Sequence, residues 1–244
     1  MLYLIGLGLN DEGDMPAKAL TALKRCDEIY VELYTSAWKG DLGKLGKEVG
    51  KGIETVPREK VESEFLVKRA AQRTIALLIP GDPLTATTHI DLLLRSKKAN
   101  VEVRVIHASS VYTAVAESGL QLYKFGRTTT VPHIEGGFLP TSPYEVIVQN
   151  KGTGLHTLVL LDIPMKVGEG LLTLLQMEDK LGFSAVTKST KLVACMSLGS
   201  SVQKIIYASV DELLEAGLED VPACLIVPGK LHFSEEEALE FYKI

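Results

Sequence analysis

Short apolar runs alternate with helical patterns through the first half of the chain. Leu2–Gly6 is apolar without a polar interruption, which is typical of a strand buried on both faces. Further strands of this kind are predicted at 28–33, 53–56, 75–79 and 101–106. Helical spacing of apolar residues predicts helices at about 16–24, 41–49, 60–73 and 87–97. This βαβαβαβαβ order predicts a mostly parallel sheet with helices on both faces.

The pattern changes in the second half of the chain, where strands are expected to pair in both directions. Strands are predicted at 128–131, 157–163, 192–197, 204–208 and 225–227, and a last helix at 235–243. The third and fourth of these strands flank a turn-rich segment at 199–201 and should be antiparallel. We therefore predict an α/β protein with two α/β domains, an N-terminal one at 1–112 and a C-terminal mixed-sheet one at 113–244.

Composition and charge exclude several classes of protein. Hydrophobic residues make up 46% of the 244 and charged residues 23%, which suits a folded core and argues against disorder. The net charge of −5 gives no reason to expect direct nucleic-acid binding. No apolar run is long enough for a membrane span, and the N-terminus lacks the pattern of a signal peptide. Cys26, Cys195 and Cys224 are far apart in sequence, so we expect no disulfide, no metal site and a cytoplasmic location.

Three loops follow predicted parallel strands at their carboxyl ends, where α/β sheets bind ligands. The first, Gly6–Asp11, resembles the start of a dinucleotide fingerprint, but Asp11 stands where GxGxxG needs its last glycine. Its two glycines would still let a ligand approach the backbone. The third loop contains Ser109 and Ser110, which suit either a helix N-cap or a site where a helix N-terminus binds a carboxylate.

The second loop, Ile79–His89, carries one carboxylate between a glycine and a proline. Asp82 could bind a cationic ligand group such as an α-amino group, or it could only cap the local turn. The residues alone favour neither alternative. His89 is expected to be a surface or packed histidine rather than a catalytic base. Sequence motifs of hydrolases, metalloproteases and nucleoside triphosphatases are absent.

Ordered motifs along nearly the whole chain resemble the diphthine synthases, of the archaeal type. The segments that carry this resemblance are MLYLIGLGLNDEGD, IPGDPLTATTH, VIHASSVYTAV, GLHTLVLLDI and LIVPGKLHF. The broader group is the tetrapyrrole-methylase-like class III methyltransferases, which use S-adenosyl-L-methionine (SAM). The resemblance implies a homodimer in which SAM binds in a cleft between the two domains of each chain.

The family's SAM contacts can be transferred to this chain where the motifs align. The residues so implied are Leu9, Asp82, Thr85, Ser110, Val111, Leu161, Leu198 and Ala223. Relatives can carry valine at the position of Thr85, alanine at that of Leu198 and histidine at that of Ala223. The contacts at the last two positions are therefore expected only if the backbone makes them.

The resemblance also implies the reaction. SAM would methylate the amino group of a 3-amino-3-carboxypropyl-histidine in translation elongation factor 2, a step of diphthamide biosynthesis, with S-adenosyl-L-homocysteine as product. No metal is required, and no side chain is identified as the base. The alternatives are a class III methyltransferase of a tetrapyrrole or an RNA, a non-catalytic SAM-binding or nucleotide-binding regulator, and a nicotinamide-dependent oxidoreductase.

Overall fold

A computed structural model describes residues 1–134 and 136–244 of the chain. They form two compact units, Met1–Val111 and Tyr112–Ile244, and each has its own five-stranded sheet. Both sheets carry helices, so the predicted α/β class with one parallel and one mixed sheet is confirmed. The domain limits expected from the sequence, 1–112 and 113–244, stay a prediction.

The first sheet is parallel throughout, with the strand order β3-β2-β4-β1-β5. Its strands are β1 (Leu2–Gly6), β2 (Glu28–Val31), β3 (Ile53–Thr55), β4 (Ile75–Ile79) and β5 (Val103–Ile106). Alternate residues enter two separate hydrophobic clusters: Leu4 and Leu77 belong to one, while Ile5 and Leu78 belong to the other. Because successive side chains of a strand point to opposite faces, both faces of this sheet are covered.

The helices that cover the first sheet are α1 (Ala17–Arg25), α2 (Leu42–Val49), α3 (Arg58–Glu62), α4 (Phe65–Gln72) and α5 (Ile90–Lys98). The single helix predicted at 60–73 is wrong, because the chain breaks it into α3 and α4. Ser63 is extended there, and its hydroxyl accepts a hydrogen bond from the Phe65 N–H and donates one to the Lys60 carbonyl. A serine that bonds to its neighbouring backbone in this way offers the chain an alternative to the helix.

The second sheet is mixed, with the strand order β6-β7-β10-β8-β9. Its strands are β6 (Thr129–Val131), β7 (Thr157–Leu161), β8 (Lys191–Met196), β9 (Lys204–Ser209) and β10 (Ala223–Val227). Only β6 and β7 are parallel neighbours. The predicted antiparallel pairing of the strands on either side of residues 199–201 is confirmed, since β8 pairs with β9.

The remaining helices are α6 (Val111–Ala114), α7 (Ser142–Gly152), α8 (Val167–Leu181), α9 (Val210–Glu215) and α10 (Phe233–Glu240). Residues of α7, α8 and α9 pack with one face of the second sheet into a single hydrophobic cluster. Sequence reasoning missed these three helices. Valine and isoleucine in α7 favour a strand, and two glycines interrupt the first turns of α8.

Candidate functional site

The loops that follow β1 and β4 are joined by their backbones beyond the end of the first sheet. The Leu7 N–H donates to the Ile79 carbonyl at 2.8 Å. Gly8 and Gly81 then exchange two hydrogen bonds, of 3.2 and 2.8 Å, across an isolated bridge. Since β4, β1 and β5 are neighbours in the sheet, the loops after all three strands lie at one edge.

Glycine is required in these loops because their backbones approach closely. A Cβ at Gly6 would lie 2.5 Å from the Gly81 carbonyl oxygen and 2.7 Å from the Cβ of Ala108, so a side chain there would clash. Gly8 and Gly81 have φ values of +81° and +68°, which favour glycine. A Cβ at Gly81 would meet no described atom within 4 Å. The loop after β4 therefore presents bare backbone to open space.

Asp82 connects the loop after β4 with the loop after β5. One carboxylate oxygen, Oδ1, accepts from the Leu84 N–H at 3.0 Å and the Thr85 hydroxyl at 3.3 Å. The other, Oδ2, accepts from the Ala108 N–H at 3.2 Å and lies 2.8 Å from His107 Nδ1. Asp82 therefore makes the local capping contacts that were one of its two alternatives, while a contact of its carboxylate with SAM stays a prediction. Sequence reasoning missed His107 as its partner.

The structure places the first five predicted SAM contacts on one edge of the first sheet. Leu9 follows β1, Asp82 and Thr85 follow β4, and Ser110 and Val111 follow β5. Asp82 and Ser110 are buried, whereas the other three are partly exposed. The three loops singled out in the sequence therefore lie at one edge of this sheet, while the SAM contacts themselves stay a prediction.

The other three predicted contacts share one edge of the second sheet. Leu161 ends β7, Ala223 begins β10 opposite Met196, and Leu198 follows β8. The Leu161 side chain packs in the hydrophobic cluster of the second sheet. It lies against Gly170 of α8, where an added Cβ would be only 2.5 Å from Leu161 Cδ2. Because its side chain is committed to packing, a ligand contact at Leu161 would have to use the backbone.

A second polar group lies at the edge of the first sheet, and sequence reasoning missed its core. Glu32 follows β2 directly and is fully buried. Its Oε2 accepts from the N–H groups of Tyr34 and Thr35 at 3.1 and 3.2 Å, and its Oε1 from the Thr35 hydroxyl. His89, at the N-cap of α5, places Nε2 at 3.8 Å from Glu32 Oε1. The sequence signal that could have indicated this group is an acidic residue directly after an apolar strand.

Polar atoms of this second group lack hydrogen-bond partners among the described residues. They are Tyr34 Oη and both ring nitrogens of His89. His89 is 2% exposed, so it is packed, which is one of the two structural alternatives expected for it. Burial lowers its pKa to about 4, and the Pro83 carbonyl offsets only part of that shift. Burial also raises the pKa of Glu32, against the hydrogen bonds that it accepts.

The second unit contains another buried glutamate–histidine pair, and there every polar atom is bonded. The Gly229 N–H donates to His156 Nδ1 at 2.9 Å, which leaves the proton on Nε2, 3.0 Å from Glu235 Oε1. Glu235 also accepts from Lys124 Nζ and from the N–H groups of Gln121 and His232. Burial opposes its ionisation, yet these bonds together lower its pKa to about 2.

Comparison with known proteins decides the family. Residues 1–214 match the family of Tetrapyrrole (Corrin/Porphyrin) Methylases. The chain is 41% identical to the diphthine synthase of Methanocaldococcus jannaschii over 99% of its own length and 98% of the relative's. With the diphthine synthase of Methanococcus aeolicus it shares 41% identity over 99% of its own length and 97% of the relative's. A crystal structure of diphthine synthase superposes with a TM-score of 0.90 at 32% identity, covering 99% of this chain and 95% of that one.

The chain belongs to the diphthine synthases of the tetrapyrrole methylase family. It is therefore a SAM-dependent methyltransferase, as the resemblance predicted. The nicotinamide-dependent and non-catalytic alternatives receive no support from these relatives.

The residues at the edge of the first sheet suit SAM. Gly81 leaves open a space that a Cβ would fill, so a ligand can reach its backbone. Asp82 holds the adjoining loops in fixed positions through four contacts. No group of three or more metal-ligating side chains occurs in residues 1–134 or 136–244. Within the same ranges, no helix is both long and apolar enough to cross a bilayer.

Proposed function

We propose that this methyltransferase acts on the amino group of the 3-amino-3-carboxypropyl-histidine of translation elongation factor 2. The observation that carries the proposal is the 41% identity with a diphthine synthase over 99% of the chain. SAM supplies a methyl group already activated on a sulfonium, so the enzyme's main task is to align donor and acceptor. The glycine loops and the Asp82 contacts provide a rigid surface for that alignment.

The SAM contacts proposed for the first unit are Leu9, Asp82, Thr85, Ser110 and Val111. Those proposed for the second unit are Leu161, Leu198 and Ala223. The common edge on which each set lies supports the assignment. Calorimetric titration of the purified chain with SAM, and with S-adenosyl-L-homocysteine, measures the binding directly. Absence of heat with both ligands, on folded protein, would contradict the assignment.

The acceptor is tested by mass spectrometry. Elongation factor 2 that carries the unmethylated 3-amino-3-carboxypropyl group is incubated with enzyme and SAM, and the modified peptide is expected to gain whole methyl increments. Elongation factor 2 without that group is the matched control and should remain unchanged. Methylation of a precorrin or an RNA, with the modified factor left untouched, would replace the proposal with the corresponding class III alternative.

We further propose a cytoplasmic homodimer that does not bind nucleic acid directly. Three buried, unpaired cysteines support a reducing compartment. Exposed Phe233, Phe241 and Ile244 near the C-terminus support contact with a second copy. The net charge of −5 argues against nucleic acid. Light scattering that gave the monomer mass of 26.5 kDa across micromolar concentrations would contradict the dimer.

A further inference from the structure

His107 is the first residue after β5, and its ring bonds to a residue from another loop of the first sheet. Its Nδ1 lies 2.8 Å from Oδ2 of Asp82, in the loop after β4. Strands β4 and β5 are not neighbours, because β1 lies between them. The bond therefore joins the loops on either side of the end of β1. A Cβ at Gly6, the last residue of β1, would lie 2.5 Å from Gly81 of one loop and 2.7 Å from Ala108 of the other.

The histidine is the donor in this bond. A carboxylate only accepts hydrogen bonds, so the ring proton lies on Nδ1. Asp82 accepts three further bonds, from the Ala108 N–H, the Leu84 N–H and the Thr85 hydroxyl. Of these four donors, His107 and Ala108 belong to the loop after β5. Removing the ring would therefore take away one of the two bonds that Asp82 makes to that loop.

The His107 ring has little part in the hydrophobic core. Its side chain is 62% exposed, whereas that of Asp82 is 8% exposed. A mostly exposed side chain can be replaced without leaving a cavity in the core. A hydrogen bond to a carboxylate is also stronger than one between neutral groups. The main effect of replacing His107 should therefore be on the two loops that it joins.

These two loops carry four of the five SAM contacts proposed for the first unit. They are Asp82 and Thr85 after β4, and Ser110 and Val111 after β5. Ordering a loop when a ligand binds costs free energy, so a surface made of two loops binds best when both are already in place. His107 is thus placed to affect SAM binding through Asp82.

We infer that His107 is a positioning residue for SAM: its Nδ1–H holds Asp82 so that the loops after β4 and β5 are aligned before SAM arrives. The inference rests on the SAM contacts proposed above and adds a residue that acts through another side chain. Loss of the bond should weaken SAM binding by more than it lowers stability. The other ring nitrogen, Nε2, should make no difference to either.

The first test compares variants that keep one ring nitrogen position or neither. In His107→Asn the amide nitrogen takes the place of Nδ1 and can still donate to Asp82, whereas in His107→Gln it takes the place of Nε2. His107→Ala has neither. By calorimetry, the Gln and Ala variants should bind SAM about 10-fold more weakly, the lower end of the effect of losing a hydrogen bond to a charged group. The Asn variant should bind SAM nearly as well as the wild type.

Arg104→Ala is the matched control. Arg104 lies on β5, its side chain is 59% exposed, and its Nε donates to Glu102 Oε1 at 2.8 Å. This bond resembles the one from His107 in length, exposure and type of acceptor, but it stays next to one strand and joins no two loops. Arg104→Ala should leave SAM affinity unchanged. Melting temperatures measured without ligand, for all four variants, show whether any loss of affinity reflects lost stability.

The second test asks whether His107 acts through Asp82. In an Asp82→Asn background, His107→Ala should lower SAM affinity by much less than it does alone, because residues that act as one unit are not additive. In turnover of elongation factor 2 that carries the unmethylated group, His107→Ala should raise KM for SAM. Its kcat should stay at the wild-type value, since His107 touches no reacting atom.

The outcomes separate this inference from the proposed function. Equal SAM affinity of wild type and His107→Ala, or an equal loss in His107→Asn and His107→Gln, overturns the role of Nδ1 and leaves the proposed function standing. A lower kcat with normal SAM affinity also overturns it, because Nε2 would then take part in the reaction. If the wild type binds no SAM, the proposed SAM contacts and the inference fall together. SAM binding without methylation of the modified factor removes only the proposed acceptor.

Discussion

Two buried glutamate–histidine pairs, one in each unit, differ in whether their hydrogen bonds are complete. Glu235 and His156 use both carboxylate oxygens and both ring nitrogens on partners within the second unit. Glu32 also has its carboxylate satisfied, but neither nitrogen of His89 has a hydrogen-bond partner among the described residues. The two pairs thus have the same residue types and similar burial, but only the histidine of the second unit has its hydrogen bonds formed.

The difference indicates what each pair does. A complete network rigidifies its surroundings: Glu235 joins the segment around Gln121 to the start of α10, and His156 adds the N-terminal end of β7 and the Gly229 loop. An incomplete network leaves buried polar atoms without hydrogen-bond partners, which lowers stability. We therefore interpret the second-unit pair as structural and expect the first-unit pair to contribute less to stability.

The largest effect is expected when Glu235 is removed. Glu235→Ala leaves Lys124, His156 and two backbone N–H groups without their acceptor. Loss of one partner from a buried charged network costs about 3–5 kcal/mol. Urea unfolding should show this decrease in the free energy of unfolding, while the folded fraction binds SAM as before. A change below about 1 kcal/mol would mean that the network is not structural.

Acid should weaken the same network in a defined range. The pKa of Glu235 is lowered from 4.5 to about 2 on folding, so its stabilisation is present above pH 4.5 and is lost as the pH falls to about 2. The shift corresponds to about 3 kcal/mol. Unfolding free energies measured between pH 5 and 2 should therefore fall more steeply for wild type than for Glu235→Gln. If the free energy of unfolding falls equally with pH in both proteins, the ionisation of Glu235 does not contribute to stability in this range.

Most of the parallel sheet could be predicted because buried strands such as β1 and β4 are continuous apolar runs in the sequence. The loops at its carboxyl edge followed from the topology alone. What could not be predicted depends on contacts between distant residues. Asp82 was identified as a candidate, but its partner His107 comes from another strand end. Likewise, the burial of His89 beside Glu32 requires β2 and β4 to be neighbours.

Asp82→Asn tests a residue that combines a structural and a binding role, since Asp82 is both a cap and a proposed SAM contact. Asparagine can accept through only one of its two positions, so the bonds from Leu84 and Ala108 cannot both be kept. We expect a loss of about 0.5–2 kcal/mol in unfolding free energy. If the carboxylate also contacts SAM, affinity should fall about 10- to 150-fold. Lower stability with normal SAM affinity would make Asp82 purely structural.

The smallest effect is the one that separates the pairs most directly, because its sign should be opposite in the two units. His89→Leu removes two unbonded polar atoms from a buried position and breaks no hydrogen bond that the described residues make. Burying an unpaired polar group costs about 1–3 kcal/mol, part of which leucine recovers by apolar contact. We therefore expect the free energy of unfolding to stay level or to rise by about 1 kcal/mol. His156→Leu leaves the Gly229 N–H and Glu235 Oε1 without the hydrogen bonds that His156 makes, and it should lower the free energy of unfolding by about 1–3 kcal/mol.

Urea unfolding of both variants, with equal m-values as the check on two-state behaviour, measures the contrast. Destabilisation of similar size in both would show that contacts hold His89 as firmly as His156, and the contrast between the two pairs would fail.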